Sequence, residues 1–206
     1  MDKPSKIIPV KLMKTIIFAT NNAHKVEEVR AILEGQFHVL SLREAGIDIE
    51  IPEPFSTLEA NAREKARVIN RLTGNDCFSE DTGLEVSSLN GEPGVKSARY
   101  AGESRSMENN IEKLLSNLQE KKDRSAQFRT VVCLIANGSE IIFEGICKGI
   151  IIAERRGSSG FGYDPVFVPE GSEKTFGEMT MNEKNTYSHR KKAVDQLTHF
   201  LKNQRS

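Results

Sequence analysis

The feature of this sequence that most constrains its fold is the alternation of short β-branched apolar runs with amphipathic helical segments. Residues 15–19 (TIIFA) form an apolar run that is typical of a buried strand. The polar residues 20–22 (TNN) follow as a turn that could cap a helix, and apolar residues then recur at helical spacing over 26–33. The amino end therefore predicts a strand, a polar turn and a helix that Gly35 ends.

The rest of the chain continues this alternation. Extended segments are predicted at 39–42, 76–78, 127–136 and 141–146, helices at 58–72, 106–119 and 188–202, and a turn at 91–94. Gly74 ends the second helix, and Asn137-Gly138 is a strong hairpin signal. This order predicts an α/β fold with a partly antiparallel sheet. We expect residues 1–13 to be a flexible extension and residues 14–206 to form a single domain.

Composition excludes several classes of protein. The 29 basic and 29 acidic residues among 206 give a formal net charge of zero, which argues against binding of a nucleic-acid polymer. There is no apolar run of about 18 residues, so we expect no membrane span, and the amino terminus lacks the apolar core of a secretory signal. The three cysteines match no zinc motif, and we interpret them as reduced core thiols in a cytoplasmic protein.

Residues 20–25 (TNNAHK) lie between the first strand and the first helix. Backbone N–H groups at a helix start attract anions, and Lys25 adds a full positive charge. The segment therefore indicates a phosphate cradle, although it lacks the glycines of a P-loop. A plain capped helix start explains the same residues.

A second polar group, Glu80-Asp81-Thr82-Gly83, follows the short strand at 76–78 and is predicted to form a turn at its end. Adjacent carboxylates suit Mg²⁺, and one of them could deprotonate an attacking water. Glu53, in a proline-rich acidic loop, could supply another acid. A solvated turn without chemistry is the alternative.

Two further segments carry chemistry near the carboxyl end. In residues 159–165 (SGFGYDP), glycines let the backbone approach a flat ligand, a ring can stack on it, and the Asp can accept hydrogen bonds from it. Lys184, His189 and Arg190 lie near a predicted helix start, where cations oppose the helix dipole unless an anion neutralises them. This placement favours an anion site, whereas a solvated basic face and a glycine-rich loop are the plain alternatives.

Taken together, the sequence resembles the inosine triphosphate pyrophosphatase family, whose members act on non-canonical purine nucleoside triphosphates. The resemblance spans Lys14 to Leu201, and its motifs occur in the family's order. They are ATNNAHKVEE at 19–28, SEDTGLEV at 79–86, GEPGVKSARYAG at 91–102, FGYDPVF at 161–167 and EKNTYSHRKKA at 183–193. The departures are TNN in place of TGN in the cradle, and Glu-Asp in place of Asp-Asp at 80–81.

The resemblance implies a long mixed central sheet flanked by helices, in two lobes with the active site in the cleft between them. It implies that Asp81 is the proton acceptor and that Glu53, Glu80 and Asp81 bind the metal. The substrate-binding positions it implies are Thr20, Asn21, Asn22, Ala23, His24, Lys25, Thr82, Phe161, Gly162, Tyr163, Asp164, Lys184, His189 and Arg190.

The activity implied is the Mg²⁺-dependent hydrolysis of ITP, dITP and XTP to the monophosphate and pyrophosphate, by a homodimer that removes deaminated purines from the nucleotide pool. Donors such as His189 or Arg190 would favour a 6-oxo base over adenine. Two alternatives stay open. A nucleotide- or RNA-binding module would need no acids, and another hydrolase could cut the γ-phosphate or act on pyrimidines.

Overall fold

The computed structural model describes residues 13–33 and 36–203, which form a mixed α/β structure. The strands are β1 (Lys14–Phe18), β2 (Phe37–Leu40), β3 (Cys77–Val86), β4 (Pro93–Gly94), β5 (Ser125–Ala136), β6 (Ser139–Ile151) and β7 (Phe167–Pro169). The helices are α1 (Ala23–Leu33), α2 (Leu58–Thr73), α3 (Met107–Asn117), α4 (Met181–Tyr187) and α5 (His189–Asn203).

The strands of the described residues form a 7-stranded sheet in the order β2-β1-β3-β5-β6-β7, with β4 paired to β3 off this path. β1 runs parallel to β2 and to β3. The pairs β3–β5, β5–β6 and β6–β7 are antiparallel. The prediction of a long mixed sheet flanked by helices is confirmed.

Helices cover both faces of the long central strand β5. Val132 and Leu134 lie in an apolar cluster with residues of α1 and α5. Val131 and Cys133, which point to the opposite face, pack with residues of α2. Because neither face meets water, this strand is a nearly continuous apolar run and not an alternating one.

The predicted helix end at Gly74 and the predicted hairpin are confirmed, and the structure adds a cap at Thr57 that was not predicted. The Thr57 hydroxyl accepts a hydrogen bond from the Ala60 N–H at 3.2 Å and caps α2, which Gly74 ends in the left-handed conformation at φ 67°. Asn137 and Gly138 both have positive φ, 50° and 74°, as the tight hairpin between β5 and β6 requires.

The predicted turn at residues 80–83 is wrong. These residues lie in the middle of β3, where Asp81 is opposite Val131 and Thr82 is opposite Thr130 of β5. Pairing with a long neighbouring strand therefore outweighs the turn preference of the local residues. Gly83 permits the close approach of β4, since a Cβ at this position would lie 2.7 Å from the Gly94 carbonyl oxygen.

Other boundaries differ from the prediction. The second strand is Phe37–Leu40 and not 39–42. Helix α4 was not predicted, although Thr180 and Glu183 form a capping box that its sequence spacing could have revealed. Gly35 and residues 1–12 of the predicted extension lie outside the described residues, and the single domain at 14–206 stays a prediction. Within the described ranges, no helix is both long and apolar enough to cross a membrane.

Candidate active site

A cleft of ≈ 730 Å³ lies where the β1–α1 turn, α2, the middle of β3 and the start of α5 meet. Most of the predicted site residues line it: Thr20, Asn21, Asn22, His24, Lys25, Glu53, Asp81, Thr82, Phe161, Gly162, Tyr163, Asp164, Lys184, His189 and Arg190. Ala23 begins α1 beside the cleft, and Glu80 is buried behind its wall. A second cavity, of ≈ 660 Å³ beside β6 and β7, contains none of these residues.

The β1–α1 turn presents the start of α1 to the cleft. The Asn22 side chain accepts a hydrogen bond from the Lys25 N–H at 3.2 Å, and Thr20 Oγ1 accepts one from the Asn22 N–H at 3.1 Å. The first turn of α1 holds no acidic residue, so the positive end of its dipole is not neutralised within the helix. The turn is thus a capped helix start that also favours an anion.

Four charged side chains meet on the acidic side of the cleft. Lys65 of α2 forms an ion pair with Glu53, and its Nζ lies 3.4 Å from Asp81 Oδ1. Asp81 Oδ1 also accepts a hydrogen bond from the Thr82 N–H at 3.1 Å, whereas Oδ2 is buried and has no hydrogen-bond partner among the described residues. Arg99 Nη1 lies 3.5 Å from the other Glu53 oxygen.

The environments of the two carboxylates differ. Burial raises the pKa of Asp81 above its ordinary value, although Lys65 and Lys25 oppose the rise. Burial also acts to raise the pKa of Glu53, but Lys65, Lys25 and Arg99 outweigh it and hold that pKa below its usual range. Asp81 therefore combines a raised pKa with a buried oxygen, Oδ2, that has no partner at hydrogen-bond distance in the described part of the chain, although the nearby Asn61 side chain acts to lower this pKa.

Lys65 and Arg99 are not among the site residues predicted from the sequence. Lys65 lies among Leu58, Ala62 and Ile69 on the buried face of α2, where it is 7 % exposed. A lysine within an apolar stripe was the signal that could have identified it, because such a buried ammonium needs nearby carboxylates. Arg99 carries no comparable signal.

Behind the cleft, a buried ion network joins α1, β3, α4 and α5. Lys184 Nζ lies 2.7 Å from Glu28 Oε1 and 2.6 Å from Asp164 Oδ2. Arg190 donates from Nε and Nη2 to the two Glu80 oxygens at 2.8 Å each, and from Nη1 to Glu28. The anions that these cations need are therefore, in this structure, carboxylates of the chain itself.

The network lowers the pKa of two of its carboxylates, whereas burial raises the pKa of the third, Asp164, although Lys184 opposes the rise. Burial acts to raise the pKa of Glu80 and of Glu28, but Arg190 outweighs it, aided by Lys25 at Glu80 and by Lys184 at Glu28, so both pKa values fall below the usual range. Lys25 Nζ lies 3.2 Å from Glu80 Oε1. Glu28 was not predicted as part of the site, although it is the last residue of the motif at 19–28, and that membership was the available signal.

His189 stacks on Phe128, with ring centroids 4.7 Å apart and planes at 11°. Burial lowers the pKa of His189 well below its ordinary value, and Arg190 and Lys184 add to the shift, so the imidazole is neutral at pH 7. Its Nδ1 is buried without a hydrogen-bond partner among the residues described here. The ring is thus held in place by stacking, and one of its nitrogens has no partner among the described residues.

A sequence model of the Ham1 family matches residues 16–200. The chain belongs to the Ham1 family. The match includes each motif that carried the resemblance at the sequence level, and the predicted membership is confirmed.

Relatives of this Ham1 family member include proteins named dITP/XTP pyrophosphatase. The protein from Porphyromonas gingivalis is 50 % identical over 190 residues, which are 92 % of this chain and 98 % of that one. The protein from Flavobacterium psychrophilum is 47 % identical over 188 residues, which are 91 % of this chain and 99 % of that one.

Solved structures agree with the fold. The Ham1 protein of Staphylococcus aureus superposes with a TM-score of 0.84 at 38 % identity, over 93 % of this chain and 100 % of that one. A Ham1 protein from Coxiella burnetii gives a TM-score of 0.84 at 36 % identity, over the same shares. The α/β fold is therefore confirmed, and the roles of individual site residues stay predictions.

Proposed function

We propose that this protein hydrolyses ITP, dITP and XTP to the nucleoside monophosphate and pyrophosphate, and so removes deaminated purines from the nucleotide pool. The observation that carries the proposal is the position of Asp81, a buried carboxylate with a free oxygen in a cleft that also holds Lys25 and the start of α1. The names of its relatives support the same substrates.

In this reaction a water oxygen forms a bond to the α-phosphorus while the bond from that phosphorus to the oxygen bridging the β-phosphate breaks. Asp81 accepts the proton of the water, for which its raised pKa suits it. Lys25 and the start of α1 hold the β- and γ-phosphates, which leave as pyrophosphate. Positioning and charge stabilisation supply most of the rate.

The acidic side of the cleft fits Mg²⁺. This ion is usually bound by one or two carboxylates, and water and phosphate oxygens complete its shell. Glu53 and Asp81 supply such a pair, and the described ranges contain no cluster of three or more His, Cys, Asp or Glu side chains placed to hold a metal. When bound, the ion neutralises charge on the phosphates.

We assign Glu80 a different task from the metal-binding role that the resemblance implied. Both of its oxygens accept hydrogen bonds from Arg190, and Thr82 Oγ1 donates to one of them at 3.2 Å. Glu80 is fully buried and would lose these contacts on turning to a metal, whereas the Glu53 side chain, whose oxygens meet Lys65 and Arg99, is 28 % exposed. Glu80 is thus better suited to hold Arg190 in place.

We assign the recognition of the nucleobase to His189. Arg190 already donates from Nε, Nη1 and Nη2 to carboxylates, whereas His189 Nδ1 is unpaired. In the tautomer that carries its proton on Nδ1, the neutral imidazole donates to a 6-oxo group and would face the amino group of adenine with the wrong polarity. An unpaired buried polar group costs about 1–3 kcal/mol, so we expect ATP to be disfavoured.

Product analysis tests the activity. Purified protein is incubated with ITP and Mg²⁺, and we expect inosine monophosphate and pyrophosphate, with a higher kcat/KM for ITP and XTP than for GTP or ATP. Release of orthophosphate would indicate a γ-phosphate hydrolase. Binding without turnover would indicate the nucleotide-binding module, and a preference for ATP or GTP would contradict the assigned selectivity.

The homodimer and the cytoplasmic location that the resemblance implied also belong to this proposal. Light scattering behind a sizing column is expected to give twice the chain mass of 23.0 kDa. A mass equal to a single chain would contradict the dimer. Fractionation of cells that express the chain should recover it with the cytoplasmic proteins.

A further inference from the structure

The side chain of His24, from the same chain, covers the aromatic surface of Phe161. The His24 imidazole stacks on the Phe161 ring, with centroids 5.2 Å apart and planes at 11°. His24 is exposed at the second position of α1, and both side chains line the cleft. In this arrangement a flat, nitrogen-containing ring already lies on the surface where a base would stack.

Phe161 is held more firmly than its partner. Its N–H donates to Asp164 Oδ2 at 2.9 Å, and the neighbouring Gly162 N–H donates to Met107 Sδ at 3.0 Å. Lys184 Nζ and Arg190 Cζ lie 5.4 Å and 5.5 Å from the ring centroid. For the exposed His24 side chain, the ring stack is the contact that the structure shows, and a rotation about χ1 would break it.

We propose that His24 occupies the base-stacking surface of Phe161 in the free protein and that an incoming nucleobase displaces it. This inference rests on the proposed function and differs from the phosphate-binding role that the resemblance implied for residue 24. The backbone at residues 20–25 can still hold the phosphates, because the displaced group is only the imidazole.

A competitor that belongs to the protein lowers affinity without changing selectivity. Ligand binds only the fraction of molecules in which the surface is free, so the apparent Kd rises by the same factor for each base that stacks there. An aromatic pair stabilises its contact enough to change an equilibrium by roughly two- to tenfold. Removal of the imidazole should therefore strengthen binding of every base by one common factor.

The decisive experiment compares two probes by calorimetry on wild-type protein and His24→Ala. We expect the variant to bind inosine monophosphate roughly two- to tenfold more tightly and to bind inorganic pyrophosphate as the wild type does. Weaker or unchanged binding of inosine monophosphate overturns the inference. Weaker binding of pyrophosphate also overturns it, because His24 would then be a phosphate ligand.

Matched variants sharpen the result. His24→Phe keeps an aromatic competitor, so its affinity for inosine monophosphate should fall to or below that of the wild type. The exposed His199, near the end of α5, provides the control, and His199→Ala should change neither affinity. A common rise in affinity for inosine and uridine monophosphates in His24→Ala is expected, whereas a changed ratio contradicts simple displacement.

A second measurement needs no ligand and separates this inference from the proposed function. The chain contains no tryptophan, so Phe161→Trp places a single fluorescent reporter in the stack. We expect His24→Ala to change the emission of the free Phe161→Trp protein, and an unchanged spectrum overturns the ring contact. Failure of wild-type protein to bind inosine monophosphate would instead contradict the proposed function.

Discussion

Arg190 is a fully buried arginine between the carboxylates Glu80 and Glu28, with 1 % of its surface exposed. Arg190→Met would leave Glu80 with Lys25 and Glu28 with Lys184, but would remove the buried cation that joins the two acids. Breaking a buried pair in this way costs about 3–5 kcal/mol. Arg67, whose side chain is 49 % exposed beside Glu140, supplies the matched control. Urea unfolding should show that Arg67→Met lowers the free energy of unfolding by at most about 1 kcal/mol. Equal losses in the Arg190→Met and Arg67→Met proteins would contradict a stabilising role of the buried network.

Asp81 carries the proposed chemistry through a single carboxylate oxygen. Asp81→Asn keeps the shape of the side chain but cannot accept the water proton, so we expect substrate binding to persist and kcat to fall by about 10²- to 10⁴-fold. Steady-state kinetics with ITP and a separate binding measurement check the two parts. Near-normal turnover would show that another group is the base.

Through His189, the free energy of unfolding depends on pH in a range higher than that in which carboxylates titrate. Burial, Arg190 and Lys184 hold its pKa in the folded state well below the ordinary value of about 6.5. Below that pH the unfolded chain binds a proton that the folded chain does not. The contribution of His189 to the free energy of unfolding is therefore fully present above about pH 6.5. As the pH falls below that value, the contribution decreases by up to about 1.4 kcal/mol per pH unit.

The comparison with His189→Gln isolates this effect. We expect the free energy of unfolding to decline less steeply between pH 6.5 and pH 5 in the variant than in the wild type. Chemical unfolding at several pH values measures both curves, and parallel curves would mean that His189 is protonated in the folded protein.

At the scale of elements, α5 packs directly on the backbone of β6. A Cβ at Gly145 would lie 2.0 Å from the His189 carbonyl oxygen and 2.7 Å from the Ala193 nitrogen. Gly145→Ala must therefore push the start of α5 outward, at a cost of about 1–3 kcal/mol. Since this helix start carries His189 and Arg190, KM for ITP should rise as well.

The exposed Ser139 on the same strand offers a control for that substitution. Ser139→Ala should leave both the unfolding midpoint and KM close to wild type, because surface changes rarely exceed about 0.5 kcal/mol. A Gly145→Ala protein with wild-type stability and KM would show that α5 can move without cost.

The elements also show which parts of the secondary structure could be predicted from neighbouring residues alone. The bounds of helix α2 agree with the prediction because its apolar stripe and Gly74 are local signals, lying within the helix or directly after it. The turn predicted at 80–83 was wrong because its polar residues are held in β3 by β5, a strand that lies far along the chain. Helix α4 was missed although its capping box was present, because it is short and follows no apolar period.

At the scale of the whole molecule, the cleft is built from both ends of the chain. Residues from both 19–25 and 184–190 line it, so a bound nucleotide contacts elements that are far apart in sequence. ITP with Mg²⁺ at 100 times its Kd should stabilise Asp81→Asn protein by about 2.7 kcal/mol. Thermal unfolding should show a smaller shift with ATP at the same concentration, and equal shifts would contradict the base selectivity.

The sequence by itself determined the α/β class, the helix start at residues 20–25, the hairpin at Asn137-Gly138 and the family, because these depend on neighbouring residues or on the order of motifs. Only the tertiary structure decided how the charges are paired. Arg190 and Glu80 are 110 residues apart, and Lys184 and Glu28 are 156 apart. No local period encodes such contacts, since they arise from burial of opposite charges where separate elements meet. The same packing left one oxygen of Asp81 free.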